Sequence, residues 1–165
     1  MDRVTVAIAL GSNLGHRLGH LEWAIDQLQA VLHDLHVSSI IETEPVGVPD
    51  VQPPYLNAVA VGQAALDPSA TLAFLLDLER QRGRERPRAR AARTLDLDLI
   101  LYGDRVIEGP GLVVPHPRFR ERRFVLEPLA AIAPDLRDPV SGQTMVELLE
   151  KLEVGSQKLE EEEQQ

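Results

Sequence analysis

Hydrophobic residues fill positions 4–10 (VTVAIAL) almost without a break, and their β-branched content predicts a buried strand. GSNLG ends that run. Leu18, Leu21, Ile25, Leu28, Leu32 and Leu35 then recur every three or four positions, the spacing of an amphipathic helix. Residues 37–43 (VSSIIET) alternate as a strand does. Pro45, Gly47, Pro49, Pro53 and Pro54 exclude regular structure from 44–54, and YLNAVAVGQ resumes a strand over 55–63. Asp67-Pro68 joins a capping side chain to a ring preset for the first turn, so a helix is expected from there to Gly83, its C-cap. An arginine-rich loop over 83–93 leads into the strand LDLDLILY. GDRVIEGPGLVVP reads as a short hairpin, and two helices are expected near 124–132 and 144–152.

The predicted order, strand–helix–strand–strand–helix–strand, is that of an α+β, ferredoxin-like split βαβ sandwich on an antiparallel sheet, with a C-terminal hairpin and helices added. One domain is expected over 1–153. The tail KLEEEEQQ has too little apolar surface to order itself, so 154–165 is assigned to acidic disorder. Loops near or above a dozen residues are uncommon and usually functional, which singles out 44–54 and 83–93.

Composition narrows the setting. The chain has 165 residues, 44% of them hydrophobic and 26% charged, as in ordinary soluble domains. No apolar run reaches the ~20 residues of a membrane span, and the N-terminus lacks a signal-peptide pattern. Zero cysteines exclude disulfides and thiolate metal sites and fit a reducing, cytoplasmic setting. A net charge of −9 argues against general nucleic-acid binding. That total hides an asymmetry: Arg80, Arg82, Arg84, Arg86, Arg88, Arg90 and Arg93 crowd one stretch, and four more arginines lie within 118–123.

The chemistry concentrates in RTLDLDLI (93–100). As a strand, it puts Leu95, Leu97 and Leu99 on one face and Asp96 with Asp98 on the other, about 7 Å apart. Two such carboxylates repel unless one stays protonated or a cation lies between them. Hard oxygen donors favour Mg²⁺, which takes one or two carboxylates and fills its shell with water and phosphate oxygens. Nearby arginines suit phosphate oxygens. An acidic pair beside an arginine loop therefore points to metal-dependent phosphoryl transfer, set against the plainer alternatives of salt-bridged edge-strand acids and a solvated basic surface.

Four blocks taken together, ALGSNLG (9–15), TEPVG…PPYLNAV (43–59), LERQRGRER (78–86) and RTLDLDLILYG with VPHPRFRERRFVLEPLAAIAP, resemble the 6-hydroxymethyl-7,8-dihydropterin pyrophosphokinase family over residues 4–150. The resemblance implies transfer of the terminal diphosphate of ATP to the pterin hydroxymethyl group, with release of AMP, in folate biosynthesis. It implies two Mg²⁺ ions on Asp96 and Asp98, with Arg84 and Arg93 completing the catalytic set. Tyr55 and Phe124 match the aromatic pair that sandwiches the pterin. Asn57 matches the amide reading its polar edge, helped by the backbone at Thr43 and Val46, and Asp96 lies against the acceptor. For ATP the matches are Glu79, Arg84, Arg86, Arg93, Leu99, His116 and Arg122. GSNLG reads as structural. Small-molecule substrates, a monomer, and neither nucleic acid nor membrane are the implied partners.

The chain departs from that pattern in two places. Family members commonly carry RWGPR before the acidic strand, where this chain has ARAAR (89–93) and Arg90 stands in place of the tryptophan. Pro117 follows the histidine, where an aromatic residue is common. Two rivals differ in class. A ferredoxin-like RNA-binding module would need exposed aromatics on the central strands, which YLNAVAVGQ and LDLDLILY do not supply. A non-catalytic regulatory domain would not require the acidic pair.

Overall fold

The computed structural model describes residues 3–44, 53–83 and 94–163, with side chains to residue 155. The expectations at Val46, Arg84, Arg86, Arg90 and Arg93 fall outside these residues. Strand β1 (Thr5–Ser12) leads to helix α1 (Arg17–Leu28), β2 (Leu32–Val37) and β3 (Ile41–Thr43). Next come β4 (Tyr55–Ala64), α2 (Pro68–Gln81) and β5 (Asp96–Tyr102). A hairpin, β6 (Ile107–Gly109) and β7 (Leu112–Val114), a 3₁₀ turn (Phe119–Glu121), α3 (Arg123–Ile132) and α4 (Met145–Glu163) complete the chain.

All pairings are antiparallel, and the main sheet runs β2–β4–β1–β5 with β3 continuing the β2 edge along β4. Alternation along β1 builds both layers. Val6, Ile8 and Leu10 face α1 and α2, packing with Leu21, Leu28, Leu75 and Leu78. Ala7 faces α3 and α4, among Leu126, Leu129, Met145 and Leu148. The sheet is thus buried on both sides by a helix pair. Among the described residues no helix is long and apolar enough to cross a membrane.

Helix α2 begins as its sequence dictates: Asp67 Oδ1 accepts the Ala70 N–H at 2.7 Å, and Pro68 opens the first turn. Gly83 closes it in the left-handed region at φ +83°. The hairpin also lies where expected.

Three expectations change. The helix expected through Leu35 stops at Leu28, because Leu32 and Leu35 belong to β2. The β2–β4 register shifts between His33 and His36, with Asp34 at φ +51°. This bulge turns two leucines three positions apart toward one core, copying helical spacing. Gly62 opposite makes room, since a Cβ there would lie 3.0 Å from the His33 carbonyl oxygen.

The strand expected over 37–43 is broken. Ser38 spans the gap by donating its N–H to the Val59 carbonyl and accepting the Val59 N–H on Oγ, both at 2.9 Å. Helix α4 continues to Glu163, through most of the stretch expected to be disordered. Its packed first turns supply the costly nucleus, and a Glu/Lys-rich sequence of good helix propensity extends it.

One ion pair, part-buried through its fully buried carboxylate, ties the C-terminal elements together. Arg120 grips Asp138 through Nε at 2.6 Å and Nη2 at 2.8 Å, and Asp138 also accepts from Ser141 Oγ at 2.8 Å and Val140 N–H at 3.0 Å. Burial pushes this carboxyl up, but those four donors outweigh it and hold it down at about 2. A carboxyl depressed in the folded state stabilises fully above its unfolded value of about 3.9 and loses that contribution as pH falls toward 2. Acid unfolding should therefore show a loss on the order of 2 kcal/mol between about pH 4 and pH 2 that Asp138→Asn lacks. Urea titrations of both proteins across that range check it.

Candidate active site

The register places the candidate residues in rows across the sheet. Asp96 lies opposite Gly11, and Gly11 opposite Asn57, so all three share the α3/α4 face. The next row on that face is Asp98, Ala9 and Val59. Leu95, Leu97 and Leu99 point the other way into the α1/α2 core, and Leu99 is buried there. The alternation expected of RTLDLDLI is the one observed.

Two contacts fix β5 in this register. Glu79, 1% exposed, accepts the Leu97 N–H on Oε2 at 2.7 Å. Leu97 lies between the two aspartates, so the carboxylate sits beneath the acidic pair. At the other end the β1–β5 pairing shifts at Ala7/Ile8, leaving Ile100 as an extra residue. Its carbonyl accepts the His116 N–H at 2.8 Å. Bulges often re-aim side chains next to functional sites; this one brings the VPHP segment against the strand.

His116 is half-buried. Its burial, with the Arg122 guanidinium beside it, pushes it down to about 4 against a smaller upward pull from Asp96. Nδ1 accepts the Arg118 N–H at 3.1 Å, so the neutral ring keeps its proton on Nε2 and presents a donor there. Arg122 Nη1 stands 3.8 Å from Asp98 Oδ2, and its guanidinium lies 5.8 Å from the centre of the Phe124 ring. Arg122, Phe124, His116, Asp96 and Asp98 are thereby gathered on one side of the sheet.

The row ends at a polar corner. Asn57, 6% exposed, donates through Nδ2 to Thr43 Oγ1 at 2.6 Å, leaving Oδ1 as an acceptor toward Gly11. A Cβ on Gly11 would stand 3.4 Å from Asn57 Oδ1 and 3.5 Å from Tyr55 Cδ1, so the missing side chain forms the floor between Asp96, Asn57 and Tyr55. Sequence reasoning passed over this position. It also passed over Asn13 and Arg17, which donate to the Pro53 carbonyl at 3.4 Å and the Pro54 carbonyl at 2.7 Å and so fix the chain just before Tyr55.

At the base of the arginine loop, Arg82 stacks over Trp23 at 4.0 Å, and the Thr94 hydroxyl donates to the Arg82 carbonyl. Among the described residues no three His, Cys, Asp or Glu side chains cluster as a metal cage. Asp96 and Asp98 fit a hard cation that completes its shell with water and phosphate oxygens.

Fold and site together describe an α+β domain that sets two carboxylates, an arginine and a neutral histidine on one face of its antiparallel sheet. Residues 7–134 match the family model of 7,8-dihydro-6-hydroxymethylpterin-pyrophosphokinase (HPPK). A 2-amino-4-hydroxy-6-hydroxymethyldihydropteridine pyrophosphokinase of Synechocystis is 42% identical over 88% of this chain and 75% of its own length. That of Haemophilus influenzae is 39% identical over 90% and 92%. Among solved structures, an HPPK-DHPS of Plasmodium falciparum aligns with TM-score 0.72 at 13% identity, over 91% of this chain and 45% of that one, and so speaks for the fold alone. The chain belongs to the HPPK family. It is a pyrophosphokinase of folate biosynthesis.

The Glu79 contact yields a test. Glu79→Gln keeps an acceptor for the Leu97 N–H and should stay close to wild-type stability, whereas Glu79→Ala strands a buried donor at a cost of about 1–3 kcal/mol. Urea unfolding checks the pair of variants. A Gln variant as unstable as the Ala variant would show that charge, and not the hydrogen bond, is what β5 needs.

Proposed function

We propose that the pterin lies over Gly11 and that ATP runs from Asp98 toward His116 and Arg122. The observation carrying this reading is the Asp96–Gly11–Asn57 row, which sets a carboxylate and an amide at opposite edges of an open floor. Asn57 Oδ1 accepts from the polar edge of the ring, with its own NH₂ held by Thr43. Tyr55 and Phe124 cover the two ring faces, where offset stacking contributes about 0.5–1.5 kcal/mol beyond buried area. This orientation sends the hydroxymethyl oxygen toward Asp96.

In the reaction that oxygen bonds to the β-phosphorus of ATP, the bridging oxygen between the α- and β-phosphorus atoms leaves with AMP, and the hydroxyl proton is released. Little covalent chemistry falls to the protein; positioning and charge compensation dominate. Asp96 and Asp98 would hold two Mg²⁺ ions, whose charge would offset that of the triphosphate as the acceptor oxygen approaches. Arg122 balances Asp98 before substrate enters and turns to phosphate oxygens afterwards. His116, kept neutral, donates from Nε2 without adding charge. Arg84, Arg86 and Arg93 supply the remaining cations, the backbones of Leu99 and Val46 read adenine and pterin respectively, and Glu79 supports the nucleotide side by holding β5.

The strand order β2/β3–β4–β1–β5 supports the ferredoxin-like split βαβ arrangement. The reading also includes a monomer acting on small molecules in the cytoplasm, a compartment that the absence of cysteine suits.

Incubation with ATP, Mg²⁺ and 6-hydroxymethyl-7,8-dihydropterin should yield AMP and the pterin diphosphate; ADP would mean ordinary kinase chemistry. Asp98→Ala should remove turnover at saturating Mg²⁺ while the fold persists by circular dichroism. A rate within a few-fold of wild type would take Asp98 out of the metal site.

A further inference from the structure

Residues 115–122 carry His116 and Arg122 to the site, yet their regular structure is one turn of 3₁₀ helix, Phe119–Glu121. Two anchors hold that turn. Phe119 is wholly buried in the α3/α4 core, and the Arg120 guanidinium lies 4.7 Å over its ring. Arg120 then reaches Asp138, which is 0% exposed, with both ends of its fork.

Asp138 does not belong to the site. It sits in the 133–144 connection between α3 and α4, in a turn closed by the Gly142 N–H on the Asp138 carbonyl at 2.8 Å and by Arg137 Nη1 on the Gly142 carbonyl at 2.7 Å. Ser141 and the Val140 N–H bind the same carboxylate. Its oxygens are thus committed before Arg120 arrives, and the fork fits one arrangement.

A buried ion pair is a poor device for stability alone, since desolvation consumes much of its attraction and an apolar pair often does as well. Its better use is to fix geometry, which a planar bidentate contact does and an apolar contact does not. The chain leaves the 3₁₀ turn at Arg122, whose backbone is extended (φ −106°, ψ 100°) and whose side chain makes no capping bond. The direction of Arg122 is therefore set by where the turn ends on one side and, on the other, by α3, whose Val125 and Leu126 N–H groups bond the Arg122 carbonyl at 3.0 Å. Phe124 lies inside α3, which Val125, Leu126 and Leu129 seat in the same core as Phe119, and Tyr55 and Asn57 lie on β4, away from the turn.

We infer that the Arg120–Asp138 pair is a positioning device that aims Arg122 at the phosphate side of the site, while leaving the pterin platform alone. This rests on the reading of Arg122 as a phosphate-binding residue, so the test separates the two. Wild type, Asp138→Asn, Arg122→Ala and the double variant are compared for ATP kinetics, equilibrium pterin binding and melting temperature. Asp138→Asn should lower kcat/KM for ATP about tenfold while pterin affinity stays within about twofold. In the Arg122→Ala background the same change should add less than about twofold, because the group through which it acts is gone.

Arg120→Lys, which keeps the charge but loses the fork, should fall between wild type and Asp138→Asn, and it carries the comparison if Asp138→Asn fails to fold. Unchanged ATP kinetics with a lowered melting temperature would overturn the inference and leave a merely structural pair. Equal losses from Asp138→Asn in both backgrounds would also overturn it, as would equal losses for ATP and pterin. Unchanged ATP kinetics in Arg122→Ala alone would instead remove the reading of Arg122, and the inference with it.

Discussion

Side chains on a strand alternate with a period of two, so the register of β5 decides whether Asp96 and Asp98 face the α3/α4 side or are driven into the α1/α2 core. A slip of one residue would exchange the two aspartates for Leu95, Leu97 and Leu99, placing two carboxylates in hydrocarbon and three leucines at the site. β5 is an edge strand, with β1 on one side only, and edge strands hold register less firmly than central ones. Glu79 supplies the missing neighbour: its carboxylate takes the outward N–H of Leu97 as a further strand would. At the far end the Ile100 bulge stops the ladder from sliding, because its free carbonyl is already held by His116.

The electrostatics follow from that placement. A protein of net charge −9 repels a polyanion at long range, so under the proposed reading triphosphate binding depends on cations held close to the acidic strand. Arg122 stands beside Asp98, and the neutral state of His116 follows from burial together with the same guanidinium. Apart from Asp96 the corner around Gly11 is lined by uncharged groups, Asn57, Thr43, Tyr55 and the bare backbone of Gly11 itself.

Local rules made much of this legible. The alternation in LDLDLI, the Asp67-Pro68 start of α2 and the GPG turn of the hairpin each depend on neighbours within a few residues, and each appeared where the sequence puts it. The leucines at 32 and 35 misled because a bulge in β2 reproduces helical spacing, and a bulge depends on Gly62 across the sheet. Gly11 in GSNLG looked like a turn residue, yet it lies within β1 as the floor between Asp96 and Asn57. Arg120 and Asp138 passed unremarked for the same reason: an ion pair between separate elements leaves no periodic trace in a single chain.

The backbone bond between Ile100 and His116 also separates the exposed tip of the β6–β7 hairpin from the acidic face of β5. After β5 ends at Tyr102, residues 103–115 form the β6–β7 hairpin and return to the strand, where the Ile100–His116 bond fastens the excursion. Its tip, at Pro110-Gly111, is exposed, and a Cβ on Gly111 would meet nothing within 4 Å. Length added at that tip does not propagate to His116, whose position is inherited from β5 and not from the hairpin. The tip is therefore a natural place to graft a loop, a tag or a fluorophore without disturbing the face that carries Asp96 and Asp98.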